Sequence, residues 1–184
     1  DCVQPDEKAQ VIGAVNTVDF RDNTGTNTDV DGFIDDLKAH SVSIYGERVL
    51  VLGAGGSARA VVYGLLREGA EISIINRTPE NAQKIVDSLI NRDRLLRVLD
   101  AADGADCKPS LIVNCTPAGM WPNVDVSPWA EDVPFPQGVT VYDLVYRPAK
   151  TKLMQQAEAN GGRAIGGLGM LVRQGAAAFK IWTG

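Results

Sequence analysis

Between residues 49 and 90 the chain alternates two hydrophobic patterns. Val49-Leu50-Val51-Leu52 is short, wholly apolar and rich in β-branched side chains, as a strand buried on both faces of a parallel sheet requires. Gly53-Ala54-Gly55-Gly56 interrupts it. Ala58, Val61, Val62, Leu65 and Leu66 then recur at the spacing of one helical face, and Gly69 stands where a glycine ends a helix. A second buried run, Ile72-Ser73-Ile74-Ile75, leads to Asn76-Arg77-Thr78. Thr78 as N-cap and Pro79 at the first helical position start another helix, with Ala82, Ile85, Val86, Leu89 and Ile90 on its apolar face. Strand, helix, strand, helix with short connections is a βαβ unit. It predicts a parallel sheet with right-handed crossovers.

The same reading predicts strands near 95–99, 111–114 and 139–144, and a helix over 150–160 ended by Gly161-Gly162. The segment 123–137, with Pro128, Pro134 and Pro136, reads as a loop. Leu168, Leu171, Val172, Gly175 and Phe179 form one stripe of a final helix that runs nearly to the C-terminus. The first forty residues have another character. Gly13–Val18 reads as a strand and Asp22-Asn23-Thr24-Gly25 as a hairpin turn. Thr28 with Asp31 resembles a capping box before an amphipathic helix marked by Val30, Phe33, Ile34 and Leu37. The expected class is α/β, a Rossmann-like doubly wound parallel sheet with helices on both faces.

Composition narrows the partners. With 18 Lys+Arg against 23 Asp+Glu the 184-residue chain carries −5, and it has no basic run, so neither nucleic acid nor an anionic membrane is expected as a partner. No apolar stretch reaches the ~18–20 residues of a membrane span, and no signal-peptide pattern opens the chain. Cys2, Cys107 and Cys115 are too few and too scattered for a disulfide framework or a Cys-x-x-Cys site. One histidine, His40, cannot build a zinc site at these spacings. A cytoplasmic, metal-free protein, monomer or homodimer, is the expectation. The chain lacks an initiator methionine, which leaves room for residues upstream.

Gly53-x-Gly55-x-x-Ala58 lies between a strand and a helix, the context of a dinucleotide fingerprint. Gly53 permits a tight turn, Gly55 lets backbone approach a pyrophosphate, and Ala58 allows close helix–strand packing, while the helix N-terminus offers free N–H groups to an anion. A plain glycine turn is the simpler alternative. Asn76 stands 23 positions after Gly53, where an NAD site usually carries an acid for the ribose 2′-hydroxyl. Arg77 there suits a 2′-phosphate and Thr78 can add a hydroxyl, which favours NADP. A solvated Arg77 and a merely capping Thr78 are the alternative.

Together these features resemble the shikimate dehydrogenase family. The matching motifs are Gly13-Ala14-Val15-Asn16-Thr17, Asn27-Thr28-Asp29-x-x-Gly32, Gly53-Ala54-Gly55-Gly56-Ser57-Ala58-Arg59, Asn76-Arg77-Thr78, Asn114-x-Thr116-Pro117-x-Gly119-Met120, Asp143-Leu144-Val145-Tyr146-x-Pro148-x-x-Thr151 and Gly167-Leu168-Gly169-Met170-Leu171-Val172-x-Gln174. The resemblance implies NADPH-dependent reduction of 3-dehydroshikimate to shikimate in aromatic amino-acid (chorismate) biosynthesis. It also implies a division at residue 28. Residues 1–28 would be a remnant of an N-terminal substrate-binding domain, and 29–184 an NADP-binding domain whose final helix returns toward it.

The implied roles can be set beside simpler ones. Asp29 matches the catalytic aspartate, which also contacts a substrate hydroxyl; an acid at a helix start is otherwise explained by the helix dipole. Asn16, Tyr146 and Gln174 match substrate-facing residues, although Asn16 could simply satisfy a strand end. Gln174 sits on an otherwise apolar helix and needs a partner. Gly53, Ala54, Gly55, Gly56, Ser57, Asn76, Arg77 and Thr78 match the cofactor cradle, and Leu144 and Gly167 the lining of the nicotinamide. Met120, Met170 and the tryptophans are expected to be packing. The family's Ser-x-Ser motif and catalytic lysine match nothing here, and Asn81 stands where a second basic residue often follows Asn-Arg-Thr, with Lys84 a turn later. The chain alone is therefore expected to be inactive. Two rivals are a quinate/shikimate dehydrogenase of broader substrate use and a module that holds NADP without chemistry.

Overall fold

Val49 and Val51 point to one face of the central strand and Leu50 and Leu52 to the other, and all four are buried in separate clusters on the two sides. That two-sided burial is what the apolar run demanded. The computed structural model describes residues 3–89 and 95–184, so Cys2 and Ile90 lie outside the described residues. In chain order the elements are β1 (Gln4–Pro5), α1 (Glu7–Ile12), β2 (Thr17–Asp19), β3 (Thr24–Thr26), α2 (Asp29–Ala39), β4 (Arg48–Leu52), α3 (Gly56–Arg67), β5 (Glu71–Ile75), α4 (Pro79–Leu89), β6 (Leu96–Val98), β7 (Leu111–Asn114), β8 (Thr140–Asp143), α5 (Lys152–Ala159), β9 (Arg163–Gly166) and α6 (Leu168–Thr183).

Six strands form one sheet in the order β6-β5-β4-β7-β8-β9, and every pairing is parallel. The chain winds outward from β4 in one direction and from β7 in the other, so the order reverses between them. Loops leaving neighbouring strands diverge there and open a crevice at the carboxyl ends. Helices α2, α3 and α4 cover one face. The other carries α5, with Trp129 and Phe135 from the proline-rich loop packed against each other at 5.1 Å. That loop is irregular, as expected, and still supplies core.

The N-terminal region differs from its sequence reading. The expected strand over 13–18 survives only as Thr17–Asp19, because Gly13 ends a helix in the left-handed conformation (φ 70°). Its partner β3 pairs antiparallel with β2, and β1 adds in parallel on the far side, giving a separate three-stranded sheet. The capping box does not form. Thr28 makes no side-chain cap bond to α2, and Asp31 instead pairs with Lys8 at 2.8 Å.

The final helix is present as expected, and it buries a face other than its apolar stripe. Its stripe of Leu168, Leu171, Val172 and Phe179 is exposed, with Val172 at 62% and Phe179 at 63%, while Met170 and Ala178 are the buried positions. The reason is a crossing with α2 on another face of α6. An added Cβ on Gly32 would come within 2.9 Å of the Gln174 backbone nitrogen and 3.1 Å of the Met170 carbonyl. Only a residue without a side chain lets the two backbones approach so closely.

Candidate functional site

The crevice begins at Gly53. Its φ of +108° is a conformation that side chains disfavour, and a Cβ there would sit 3.0 Å from Thr116 Cγ2 and 3.2 Å from Cys115 backbone atoms. Gly55 and Gly56 have another reason. A Cβ on either would meet nothing within 4 Å, so the backbone at the start of α3 faces open space. No side chain caps this end of α3, so the first-turn N–H groups lack an intrahelical partner and carry the positive end of the helix dipole. Ala58 is fully buried behind them. These residues fit a dinucleotide pyrophosphate.

A cleft of about 660 Å³ runs from Gly53 past Asn76 and Arg77 to Met120, Trp121 and Pro128. Asn76 donates through Nδ2 to the Thr78 carbonyl at 2.8 Å, which shapes the turn after β5. Arg77 is exposed, and among the described residues no carboxylate pairs with it. A neighbouring cleft of about 440 Å³ lies between Ser57, Cys115, Leu144 and Tyr146. Thr116, Pro117, Met120 and Trp121 line both. The expectation that Met120 and all the tryptophans are packing is therefore corrected. Met170 and Trp129 are buried, but Trp121 is 60% exposed and forms the wall between two clefts. Its position four residues after a strand-end Thr-Pro pair was the available signal.

The floor is a polar network at the ends of β7 and β8. Asn114 Nδ2 donates to Asp143 Oδ1 at 2.9 Å, while Asn114 Oδ1 accepts from the Thr116 backbone N–H and hydroxyl. Asp143 also accepts from Val145 N–H at 3.0 Å and from the Thr151 hydroxyl at 2.6 Å. Burial raises the Asp143 carboxyl, and these donors work against the rise. Burial beside Asp143 pushes the Cys115 thiol far up, which makes it a poor nucleophile. Gly167 presses on this floor, since a Cβ there would lie 2.4 Å from the Leu144 carbonyl. The two residues expected to line the nicotinamide are thus adjacent.

A second cluster forms where β2, α2 and α6 meet. Asn16 Oδ1 accepts from the Thr28 backbone N–H at 2.9 Å and from the Thr17 hydroxyl at 3.0 Å. The Thr28 hydroxyl lies within reach of both Asn16 Oδ1 (3.2 Å) and Gln174 Oε1 (3.4 Å). Asn27 Oδ1 accepts from Asp29 N–H at 3.0 Å. Burial lifts the Asp29 carboxyl above the usual range, opposed by the adjacent Asn16 amide. Asn16, Asp29 and Gln174 are therefore brought together. Tyr146 is exposed on the smaller cleft, and no hydrogen bond among the described residues joins it to them. Among the described residues no group of His, Cys, Asp and Glu could hold a metal, and no helix is long and apolar enough to cross a membrane.

A doubly wound parallel sheet, glycines at its switch point and an open helix N-terminus define a dinucleotide-binding α/β protein. Residues 36–115 match the family model for shikimate/quinate 5-dehydrogenase, and 167–184 match the shikimate 5′-dehydrogenase C-terminal domain. The chain is 41% identical to the NADP⁺ shikimate dehydrogenase of Methanocella arvoryzae, over 99% of this chain and 67% of that protein. Its structure resembles Thermus thermophilus shikimate 5-dehydrogenase in complex with NADP(H) and shikimate (TM-score 0.85, 37% identity, 99% of this chain and 67% of that one). It also resembles a Corynebacterium glutamicum quinate dehydrogenase in complex with NAD (TM-score 0.85, 28% identity, 99% and 67%). The chain belongs to the shikimate dehydrogenase family.

Proposed function

We propose that this chain binds NADP(H) and forms the cofactor-binding part of an enzyme that reduces 3-dehydroshikimate to shikimate, within aromatic amino-acid biosynthesis. The observation that carries the cofactor choice is Arg77, an exposed guanidinium without a carboxylate partner, at the strand end where an NAD site would place an acid. NADP⁺ shikimate dehydrogenase relatives and an NADP(H)-bound structural neighbour support the same choice. NADPH supplies the hydride. Asn76, Arg77 and Thr78 hold the 2′-phosphate, and Gly53–Ser57 hold the pyrophosphate. Leu144 and Gly167 lie against the nicotinamide. Asn16, Asp29, Tyr146 and Gln174 receive the substrate hydroxyls, and residues 1–28 belong to the substrate-binding side.

Asp29 moves or holds the proton at the developing alkoxide. Its raised pKa brings it nearer the working range of a general acid–base group. The resemblance assigns no residue here to the family's lysine, so acid–base chemistry at Asp29 has no identified cationic partner in this sequence. The test is calorimetric titration of the chain with NADPH and NADH, beside an assay of NADP⁺ reduction with shikimate and with quinate in a preparation that also carries a complete substrate-binding domain. Tighter NADPH binding and preferential shikimate turnover support the proposal. Faster quinate turnover would move the substrate to the broader dehydrogenase, and binding without turnover would make the chain a holding module.

A further inference from the structure

Arg147 is a second cation lining the crevice. It lies four residues past the end of β8, in a loop tied at both ends to one carboxylate through Val145 and Thr151 on Asp143. Its carbonyl accepts from Trp121 N–H at 3.0 Å, and its guanidinium lies 5.1 Å from the centroid of the Trp121 ring. The loop from β7 and the loop from β8 are thus clasped together by one backbone bond and one cation–π contact. No carboxylate among the described residues neutralises Arg147. A guanidinium resting on an aromatic face keeps its N–H edges free to donate, which an ammonium cannot reproduce with the same geometry.

The smaller cleft places this charge opposite a specific feature. Arg147 and Ser57 both line it, and Ser57 stands in the first turn of α3, where a pyrophosphate would meet the N–H groups. The helix end offers roughly half a positive charge, which leaves most of a doubly charged pyrophosphate uncompensated. Arg77 cannot make up the difference, because it lines the other cleft beyond Trp121. Resting on the dinucleotide reading above, we propose that Arg147, held over the Trp121 ring, binds the pyrophosphate from the wall facing α3. The two cations then divide the work. Arg77 recognises the phosphate that distinguishes NADP from NAD, and Arg147 the one common to both.

The division can be read with ligand fragments. Wild type, Arg147→Ala, Arg147→Lys and Arg77→Ala are titrated with NADP⁺, NAD⁺, ADP-ribose and 2′-AMP, which has no pyrophosphate. Arg147→Ala should weaken NADP⁺, NAD⁺ and ADP-ribose alike, by about tenfold to a hundredfold as for a hydrogen bond to a charged group, and leave 2′-AMP unchanged. Arg147→Lys should fall between. Arg77→Ala should show the complementary pattern, weakening NADP⁺ and 2′-AMP only. Unfolding of ligand-free Arg147→Ala at the wild-type temperature separates lost contact from lost structure. Unchanged dinucleotide affinity in Arg147→Ala, or a loss that also extends to 2′-AMP, would overturn the proposal. If wild type binds none of the four, the dinucleotide reading itself fails and the proposal falls with it.

Discussion

The Tyr142 hydroxyl donates to Asp36 Oδ2 at 2.8 Å, joining the core of β8 to the middle of α2. The other carboxylate oxygen accepts from Arg173 Nε at 3.1 Å, so one buried side chain gathers β8, α2 and α6. Gly169 is what lets α6 come so near, since any Cβ there would overlap the Asp36 carboxylate. Burial and the Asp36 charge both push the Tyr142 hydroxyl upward, so it stays protonated as the donor. The clasp stands behind the Asn16–Thr28–Gln174 cluster, one residue along α6 from Gln174.

Removing that carboxylate strands the Tyr142 hydroxyl, while half-exposed Arg173 can turn to water. Asp36→Ala should cost roughly 1–3 kcal/mol, the range for leaving one buried polar group unpaired. Tyr142→Phe should cost about 1 kcal/mol, since Asp36 keeps Arg173. Urea unfolding measures both. A midpoint unmoved by Asp36→Ala would show that the clasp contributes nothing to stability.

Two glycines two residues apart should respond in opposite ways. Gly53→Ala places a side chain at φ +108° against Thr116 and should destabilise the fold by about 1–3 kcal/mol. Gly55→Val meets open space and should unfold like wild type, yet lose NADP binding, because the branched side chain takes the volume of the pyrophosphate. Thermal unfolding and a cofactor titration on both variants separate the two requirements. Native affinity in Gly55→Val would reduce these glycines to a turn.

Arg77→Ala should weaken NADP by about 1.5–3 kcal/mol, as for a hydrogen bond to a charged group, and hardly affect NAD. Equal losses for the two cofactors would remove Arg77 from the 2′-phosphate.

Asp29 ties stability to pH in a definite direction. Its carboxyl is raised in the folded state by burial, so between the unfolded value of about 3.9 and the raised one the folded chain binds the extra proton. Stability contributed by that proton is lost as pH rises through this window. Asp29→Asn removes the cost of burying the charge, so the variant should be the more stable above the window, with the difference shrinking as pH falls through it. In a preparation that turns over shikimate, the same change should lower turnover by about 10²–10⁴-fold, the worth of one placed proton-transfer group. Cofactor affinity should stay level. Near-normal turnover would leave Asp29 as helix-end stabilisation alone.

Five strands of the six-stranded sheet were legible, four of them because β4, β5, β7 and β8 are buried on both faces and announce themselves as apolar runs. Strand β9 was missed, since Arg163-Ala164-Ile165-Gly166 has one large apolar side chain and follows two glycines. Helix α1 was missed for a related reason. Only Ala9 and Ile12 of its six residues are buried, too few to make a period. In the site, the place of Gly53 and Arg77 along the crevice could be read from spacing because they follow directly on β4 and β5. Trp121 and Arg147 could not, since their relation is made by two loops from different strands. The stripe on α6 located the helix, but periodicity marks an apolar face without saying what covers it.

No hydrogen bond or ion pair among the described residues connects Asn76, Arg77 and Thr78 with Asn16, Thr28, Asp29 and Gln174. The residues proposed to choose the cofactor and those proposed to handle substrate therefore sit on separate elements, without shared partners among the described residues. Mutations at sites so arranged act independently. On the proposed roles, substitutions after β5 would exchange one nicotinamide cofactor for the other and leave the substrate chemistry intact.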